Sequence, residues 1–77
     1  MTLRIISPTD IVFDGEVANV TLPGAMGAFE VLPRHAALIS TLVKGQIVYT
    51  AAGEKHSVAT DGGLVDVAND VVSVCLY

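Results

Sequence analysis

Few groups in this sequence are able to do chemistry, and they are far apart. His35 and His56 are twenty-one residues from each other, and the one cysteine, Cys75, sits inside the apolar run from Val71 to Leu76. A zinc site takes three or four ligands from His, Cys and carboxylates, usually with a close-spaced pair, and no such set is visible. Ser, His and Asp all occur, but no Gly-x-Ser-x-Gly elbow presents a serine nucleophile. The eight Asp and Glu residues lie mostly in or beside turns, and nothing places two of them across a cleft as paired acid–base chemistry requires. Cys75 has no partner for an internal disulfide, and its apolar neighbours lead to the expectation of a buried, inert thiol. No catalytic group, metal ligand set or cofactor site is expected.

Composition narrows the remaining classes. The chain has 77 residues, 52% apolar and 16% charged, with a net charge of −4. At this length folding buries only about 60% of the unfolded chain's surface, so there is room for one core, a single domain over residues 1–77. So many Val, Ile and Leu with so few charges exclude disorder. The four cations, Arg4, Arg34, Lys44 and Lys55, are scattered, whereas nucleic-acid binding draws its strength from clustered ones. Charges at Arg4, Asp10, Asp14 and Glu16 interrupt the first twenty residues, and a membrane span needs roughly 20 consecutive apolar ones. No signal-peptide succession follows Met1, which leads to the expectation of a cytoplasmic chain. A domain this small, without disulfide or metal, leans on a partner for stability.

The elements that must position these groups are strands. Val, Ile and Thr supply 23 of the 77 residues, and β-branched side chains suit a pleated surface. The pattern has period two: Ala18, Val20 and Leu22 alternate with Val17, Asn19 and Thr21, and Val72, Val74 and Leu76 with Val71, Ser73 and Cys75. No window of helical length shows an apolar stripe. Turn signals fall at Ser7-Pro8, Asp14-Gly15, Pro23-Gly24, Pro33, Lys44-Gly45, Ala52-Gly53-Glu54, Asp61-Gly62-Gly63 and Asn69-Asp70. Strands are predicted near 2–7, 10–14, 16–22, 27–32, 36–43, 46–51, 55–60, 63–68 and 71–76. Many short strands with regular turns indicate an all-β fold, a flattened antiparallel sandwich of two sheets with about nine or ten strands.

One stretch is apolar on both faces. Ala36, Leu38 and Leu42 share one side of the strand near 36–43, and Ala37, Ile39 and Val43 the other. A sandwich buries one face of each sheet, so either small alanines tolerate exposure or another protein covers part of the outer surface. Two letter matches carry nothing. Asn19-Val20-Thr21 fits a glycosylation pattern without a secretory signal, and Gly24-Ala25-Met26-Gly27 imitates a phosphate loop with no helix behind it.

The richest segment runs from Leu22 to Ala36. Pro23-Gly24 suits the central positions of a type II turn, and Leu32-Pro33 fixes an extended bend. His35 follows that corner, either bonded to nearby backbone or presented, with the next apolar strand, to a partner.

Here the sequence resembles the epsilon subunit of F-type ATP synthases, whose signature is approximately L-P-G-x-x-G-x-[FL]-G-V-L-P-G-H-A-P-L. The chain has Leu22-Pro23-Gly24, Gly27, Phe29, Val31-Leu32-Pro33, His35-Ala36 and Leu38, then Lys44-Gly45. Ile5-Ile6-Ser7-Pro8 and Val12-Phe13-Asp14-Gly15-Glu16-Val17 resemble the family's opening strands, and Gly62-Gly63-Leu64-Val65-Asp66-Val67 its S-G-G-[FI]-x-E-V element. The resemblance covers nearly the whole chain in order. It implies a non-catalytic central-stalk subunit that docks on the gamma subunit and the c ring, in a complex with alpha and beta subunits. Such a subunit links ion-driven rotation to ATP synthesis from the cytoplasmic face of a bacterial inner membrane.

By the same resemblance, the gamma-facing surface includes Ser7, His35, Ala36, Leu38, Ser40 and Asp61. The c-ring-facing loop comprises Met26, Gly27, Ala28, Phe29 and Glu30. The chain departs from the pattern at Ala28, in place of a frequently acidic residue, at Glu30 and Arg34, in place of glycines, and at Ala37, in place of proline. Glu30, two residues on and on the same side of a strand as Ala28, is expected to take over the acidic contact. The family's C-terminal two-helix hairpin has no counterpart before Tyr77. For a protein that ends there, coupling without self-inhibition by that route, and no ATP site of that kind, are expected; in a longer protein the remainder can carry regulation that these residues do not show. A free-standing β-sandwich adaptor or ligand-binding module is the alternative; it requires a concave site with convergent polar groups.

Overall fold

A computed structural model describes residues 1–77, all of them in strands or the short turns between. The nine strands are β1 (Thr2–Ile6), β2 (Ile11–Glu16), β3 (Asn19–Gly24), β4 (Gly27–Val31), β5 (Leu38–Leu42), β6 (Gly45–Ala51), β7 (Glu54–Thr60), β8 (Gly63–Ala68) and β9 (Val71–Leu76). They form one curled sheet in the order β2-β1-β9-β8-β5-β3-β6-β7, with β4 on β3. The curl closes at a single bridge, Gly24 to Leu42. The chain is thus a sandwich of a five-stranded layer, β2-β1-β9-β8-β5, and a four-stranded layer, β4-β3-β6-β7. Hydrogen bonds from Ala25 N to Thr41 O (3.0 Å) and from Val43 N to Pro23 O (2.8 Å) hold the joint between the layers.

Alternation determines what lies between the layers. Leu3 and Ile5, Val20 and Leu22, Ile47 and Tyr49, Val65 and Val67, and Val72 and Val74 each send two side chains inward from one strand, joined by Val17, Val31 and Leu42. Phe13 of β2 meets Tyr49 of β6 across the gap at 4.4 Å between ring centres, and His56 of β7 stacks on Tyr49 at 5.3 Å. These rings lie along the side of the sandwich where the strand order ends, at β2 and β7.

The all-β expectation holds, with differences in detail. One pair is parallel, β1 with β9. Asp14-Gly15 is not a turn: β2 runs through it, with Gly15 opposite Leu3. A Cβ at Gly15 would come within 3.2 Å of the Phe13 ring, so the glycine makes room for that ring. Pro23-Gly24 is likewise strand, and the hairpin turns at Ala25–Met26 instead. Gly24 also yields to a ring, since a Cβ there would lie 2.7 Å from Phe29. Cys75 is exposed, contrary to the buried thiol expected. Its neighbours Val72 and Val74 face the core, and β9 is covered on one side only, so the intervening residue points out.

Candidate docking surface

The two outer faces differ in chemistry. On the four-stranded layer, β3, β4, β6 and β7 turn out Thr21, Glu30, Gln46, Val48, Thr50, Lys55 and Ser57, all at least partly exposed. Ser57 donates to Gln46 Oε1 at 2.6 Å, so part of this polarity is satisfied within the face.

The outer face of the five-stranded layer is mixed, with apolar residues gathered in one row and at the β5 end of the next. Strand register sets Thr41, Leu64, Cys75 and Ile6 side by side across β5, β8, β9 and β1. The next row reads Ile39, Asp66, Ser73, Arg4 and Asp14. Ile39 is 77% exposed, Leu64 46% and Val71 38%. Arg4 pairs with Asp14 at 3.6 Å at the margin. Ala37, Leu38, Ile39, Asp66, Val67 and Ala68 line a shallow, open hollow of about 370 Å³ on this layer. It has one polar side chain and so lacks the converging polar groups of a small-molecule site. A polar hollow of about 190 Å³ lies elsewhere, between Lys44, Gln46, Thr60 and Asp61. There the Thr60 hydroxyl is already committed, donating to Gly62 O and accepting from Gly62 N, each at 3.0 Å.

The predicted docking residues fall at two ends of the sandwich. At one end the Gly24–Gly27 hairpin carries Met26, fully exposed, and Gly27 at φ +121°. Ala28 and Glu30 follow on the outward side of β4, whereas Phe29 turns in and packs against the core. Ser7 and Asp61 occupy turns at this same end; the Ser7 hydroxyl is engaged with Asp10, accepting from its N–H at 3.1 Å and donating to its carbonyl at 3.3 Å. His35 and Ala36 are exposed at the other end, a strand's length away. Leu38 and Ser40 lie between, on the inward side of β5, and Leu38 packs against the core. Ile39, between them, is the outward residue; its place was readable in the two-faced pattern of that strand, although not singled out.

The corner carrying His35 is built more tightly than the sequence suggests. His35 N donates to Leu32 O at 3.2 Å, with Pro33 and Arg34 at the centre and Arg34 at φ +67°. This is the type II arrangement, which favours glycine at its third position; a residue with a Cβ is disfavoured there by roughly 1–2 kcal/mol. Arg34 N donates to Asp70 Oδ1 at 2.9 Å. Asp70 and Asn69 are the two central residues of the β8–β9 hairpin, at φ +63° and +53°, as a type I′ turn requires. His35 Nδ1 lies 2.7 Å from Ala36 O, leaving the rest of the ring free to solvent.

Charge gathers around Asp70. The Met1 ammonium lies 3.1 Å from Glu16 Oε2 and 3.6 Å from Asp70 Oδ2, and Thr2 Oγ1 donates to Glu16 Oε1 at 2.7 Å. The Thr2 hydroxyl, then the ammonium, holds the Glu16 carboxyl below its ordinary range. The Arg34 N–H, then the ammonium, does the same for Asp70. The Met1 amine is raised in turn by its hydrogen bond to Glu16 and by the Asp70 charge.

Residues 1–76 match the family model of the ATP synthase delta/epsilon chain, beta-sandwich domain. Among curated proteins, the chain is 42% identical over 73 residues to an ATP synthase epsilon chain of Desulfitobacterium hafniense, covering 95% of this chain and 55% of that one. It is 47% identical over 68 residues to that of a Sulfurovum species, covering 87% and 53%. The chain therefore spans about half the length of the curated relatives it matches. Its fold is also that of a chain in the mitochondrial ATP synthase of Euglena gracilis, at a TM-score of 0.89 and 23% identity, over 96% of this chain and 48% of that one. A chain in the central stalk and c-ring structure of the Tetrahymena thermophila enzyme superposes at 0.80 with 14% identity, over 97% and 61%.

Proposed function

The chain belongs to the family of the ATP synthase delta/epsilon chain beta-sandwich domain, and on that premise we propose that it is a non-catalytic coupling component of a rotary ATP synthase. It docks on the gamma subunit and the c ring, within a complex with alpha and beta subunits, and passes ion-driven rotation of the ring to the stalk. The match over residues 1–76 carries the reading. Two exposed features support it: the apolar residues Ile39, Leu64 and Val71 on the outer face of the five-stranded layer, which water disfavours, and the hairpin tip at Met26 with Glu30 following on β4.

In this reading the gamma-facing surface draws on Ser7, His35, Ala36, Leu38, Ser40 and Asp61, and Met26 to Glu30 approach the ring. Because the first group spans both ends of the sandwich, the gamma contact runs along the length of the domain. Leu38 and Ser40 support that surface from the inner side of β5, and Ile39 is presented on the outer. A surface of that length suits an interface above about 1,000 Å² in total, the size of a stable association. No helix is long and apolar enough to cross a membrane; the chain is held peripherally through the complex, on the cytoplasmic face of the bacterial inner membrane.

The test is a pull-down from solubilised membranes of the source cells with tagged chain. Recovery of gamma with alpha, beta and c subunits is expected. Recovery of the chain alone at low salt would overturn the assignment.

A further inference from the structure

We propose that Asp70 is the positioning residue for the docking corner Leu32–Ala37: its carboxylate holds Arg34 in a left-handed conformation that the local sequence disfavours, and so keeps His35 and Ala36 preformed for a partner. The inference rests on the docking reading given above. It starts from a mismatch in the corner. The third position of a type II turn calls for glycine, yet the residue is Arg34, at φ +67°. The turn has one backbone closure, His35 N to Leu32 O, at a long 3.2 Å. Residues 32–37 are all exposed, so packing does little to hold them.

The compensating contact comes from outside the segment. Asp70, thirty-six residues away in sequence, accepts the Arg34 N–H at 2.9 Å, a charge-assisted bond of the stronger kind. Asp70 is itself fixed, as the second central residue of a two-residue hairpin whose flanking pair is Ala68 and Val71. Its carbonyl accepts the Thr2 N–H at 3.0 Å, and its second carboxylate oxygen faces the Met1 ammonium at 3.6 Å. One residue therefore ties the corner to β1, β8 and β9, the centre of the five-stranded layer. A corner held this way meets its partner with little ordering left to do, and preorganisation of that kind appears directly as affinity.

Three substitutions in the chain, the third combined with the first, test this. Asp70→Gly keeps the left-handed turn and removes the acceptor, Asp70→Asn keeps an acceptor oxygen and tolerates the same backbone, and Arg34→Gly relieves the mismatch. Amide hydrogen exchange at Arg34 and His35 should rise about tenfold or more in Asp70→Gly, while Val67 and Val72 keep their protection. Asp70→Asn should stay within about threefold of the parent, since the neutral oxygen still accepts. Affinity for the isolated gamma–c-ring complex should fall about fivefold to tenfold in Asp70→Gly and recover most of that in Asp70→Asn and in Arg34→Gly/Asp70→Gly. Unchanged exchange in Asp70→Gly overturns the clamp. Faster exchange with unchanged affinity overturns the positioning role, as does failure of the double variant to recover. If the parent chain does not bind the complex at all, the docking reading falls, and exchange alone still decides whether Asp70 orders the corner.

Discussion

The two layers of this sandwich use the same inward code and opposite outward ones. Both alternate Val, Ile and Leu into one core. On its outer side the four-stranded layer shows hydroxyls, amides and charges, whereas the five-stranded layer sets Leu64, Cys75 and Ile6 in one row and leaves Ile39 mostly exposed at the end of an otherwise polar one. Folding explains the inward pattern in both cases. It does not explain Leu64, Cys75, Ile6 and Ile39 facing outward, which gain nothing until something else covers them. In so small a domain, the face that contributes nothing to folding alone is the one to examine for a partner.

Adjacent residues on β5 test this difference most severely. Leu38→Asp puts a charge against the core on which Leu38 packs, and the domain should lose about 2–4 kcal/mol in urea unfolding. Ile39→Asp, one residue on and 77% exposed, should leave unfolding within about 0.5 kcal/mol of the parent. It should weaken binding to the gamma–c-ring complex by about tenfold or more. Ser57→Asp, on the opposite face, should change that binding by less than about twofold. Equal losses from Ile39→Asp and Ser57→Asp would erase the distinction between the faces.

Smaller effects sharpen the comparison. Glu30→Lys should reduce retention on membranes about threefold at low salt, with the difference vanishing near 1 M salt, where screening acts over only ~3 Å. No change across the salt series would remove Glu30 from the ring contact. Acid should act on the layers unequally, because the two carboxyls with lowered pKa, Glu16 and Asp70, both belong to the five-stranded layer. Their ordinary values are 4.5 and 3.8. A folded-state value below the unfolded one gives stability that is complete above the unfolded value and lost as pH falls through the folded one. Amide protection in β1 and β9 should therefore hold from neutrality to about pH 5, then drop below pH 4 before protection in β6 and β7 does. The effect is small, since these groups are exposed and water screens them. Simultaneous loss in both layers would show that the cluster has no local role.

Much of the fold was legible because strand periodicity is local. Nine strands were expected from alternation and nine are present. The errors fell where one residue type serves two purposes. Gly15 and Gly24 read as turn residues because glycine accepts unusual φ, but both lie in strands, where a Cβ would press on an aromatic ring, at 3.2 Å from Phe13 for Gly15 and 2.7 Å from Phe29 for Gly24. Sequence does not separate a glycine required by backbone angle from one required by a neighbour. The converse error hid Asp70: the left-handed position at the corner holds Arg34, and its support comes from the far end of the chain. Cys75 was misjudged because an apolar run was taken to be buried on both sides. The motif segment contains both the corner and the hairpin, although the hairpin turns at Ala25–Met26 and not at Pro23-Gly24; their location at opposite ends of the sandwich depends on pairing across the layers, which no short motif encodes.

The parallel pair β1–β9 also has a mechanical consequence. It joins the first strand to the last over five registered positions, from Thr2 with Val71 to Ile6 with Cys75. Parallel pairing brings the chain's beginning to one end of the ladder and Tyr77 to the other. Tension between the start of β1 and the end of β9 then runs along the strands and loads the whole row of hydrogen bonds at once, in shear. An antiparallel pair pulled from adjacent ends would open one bond at a time, like a zipper. This pair is thus oriented to resist pulling along its length.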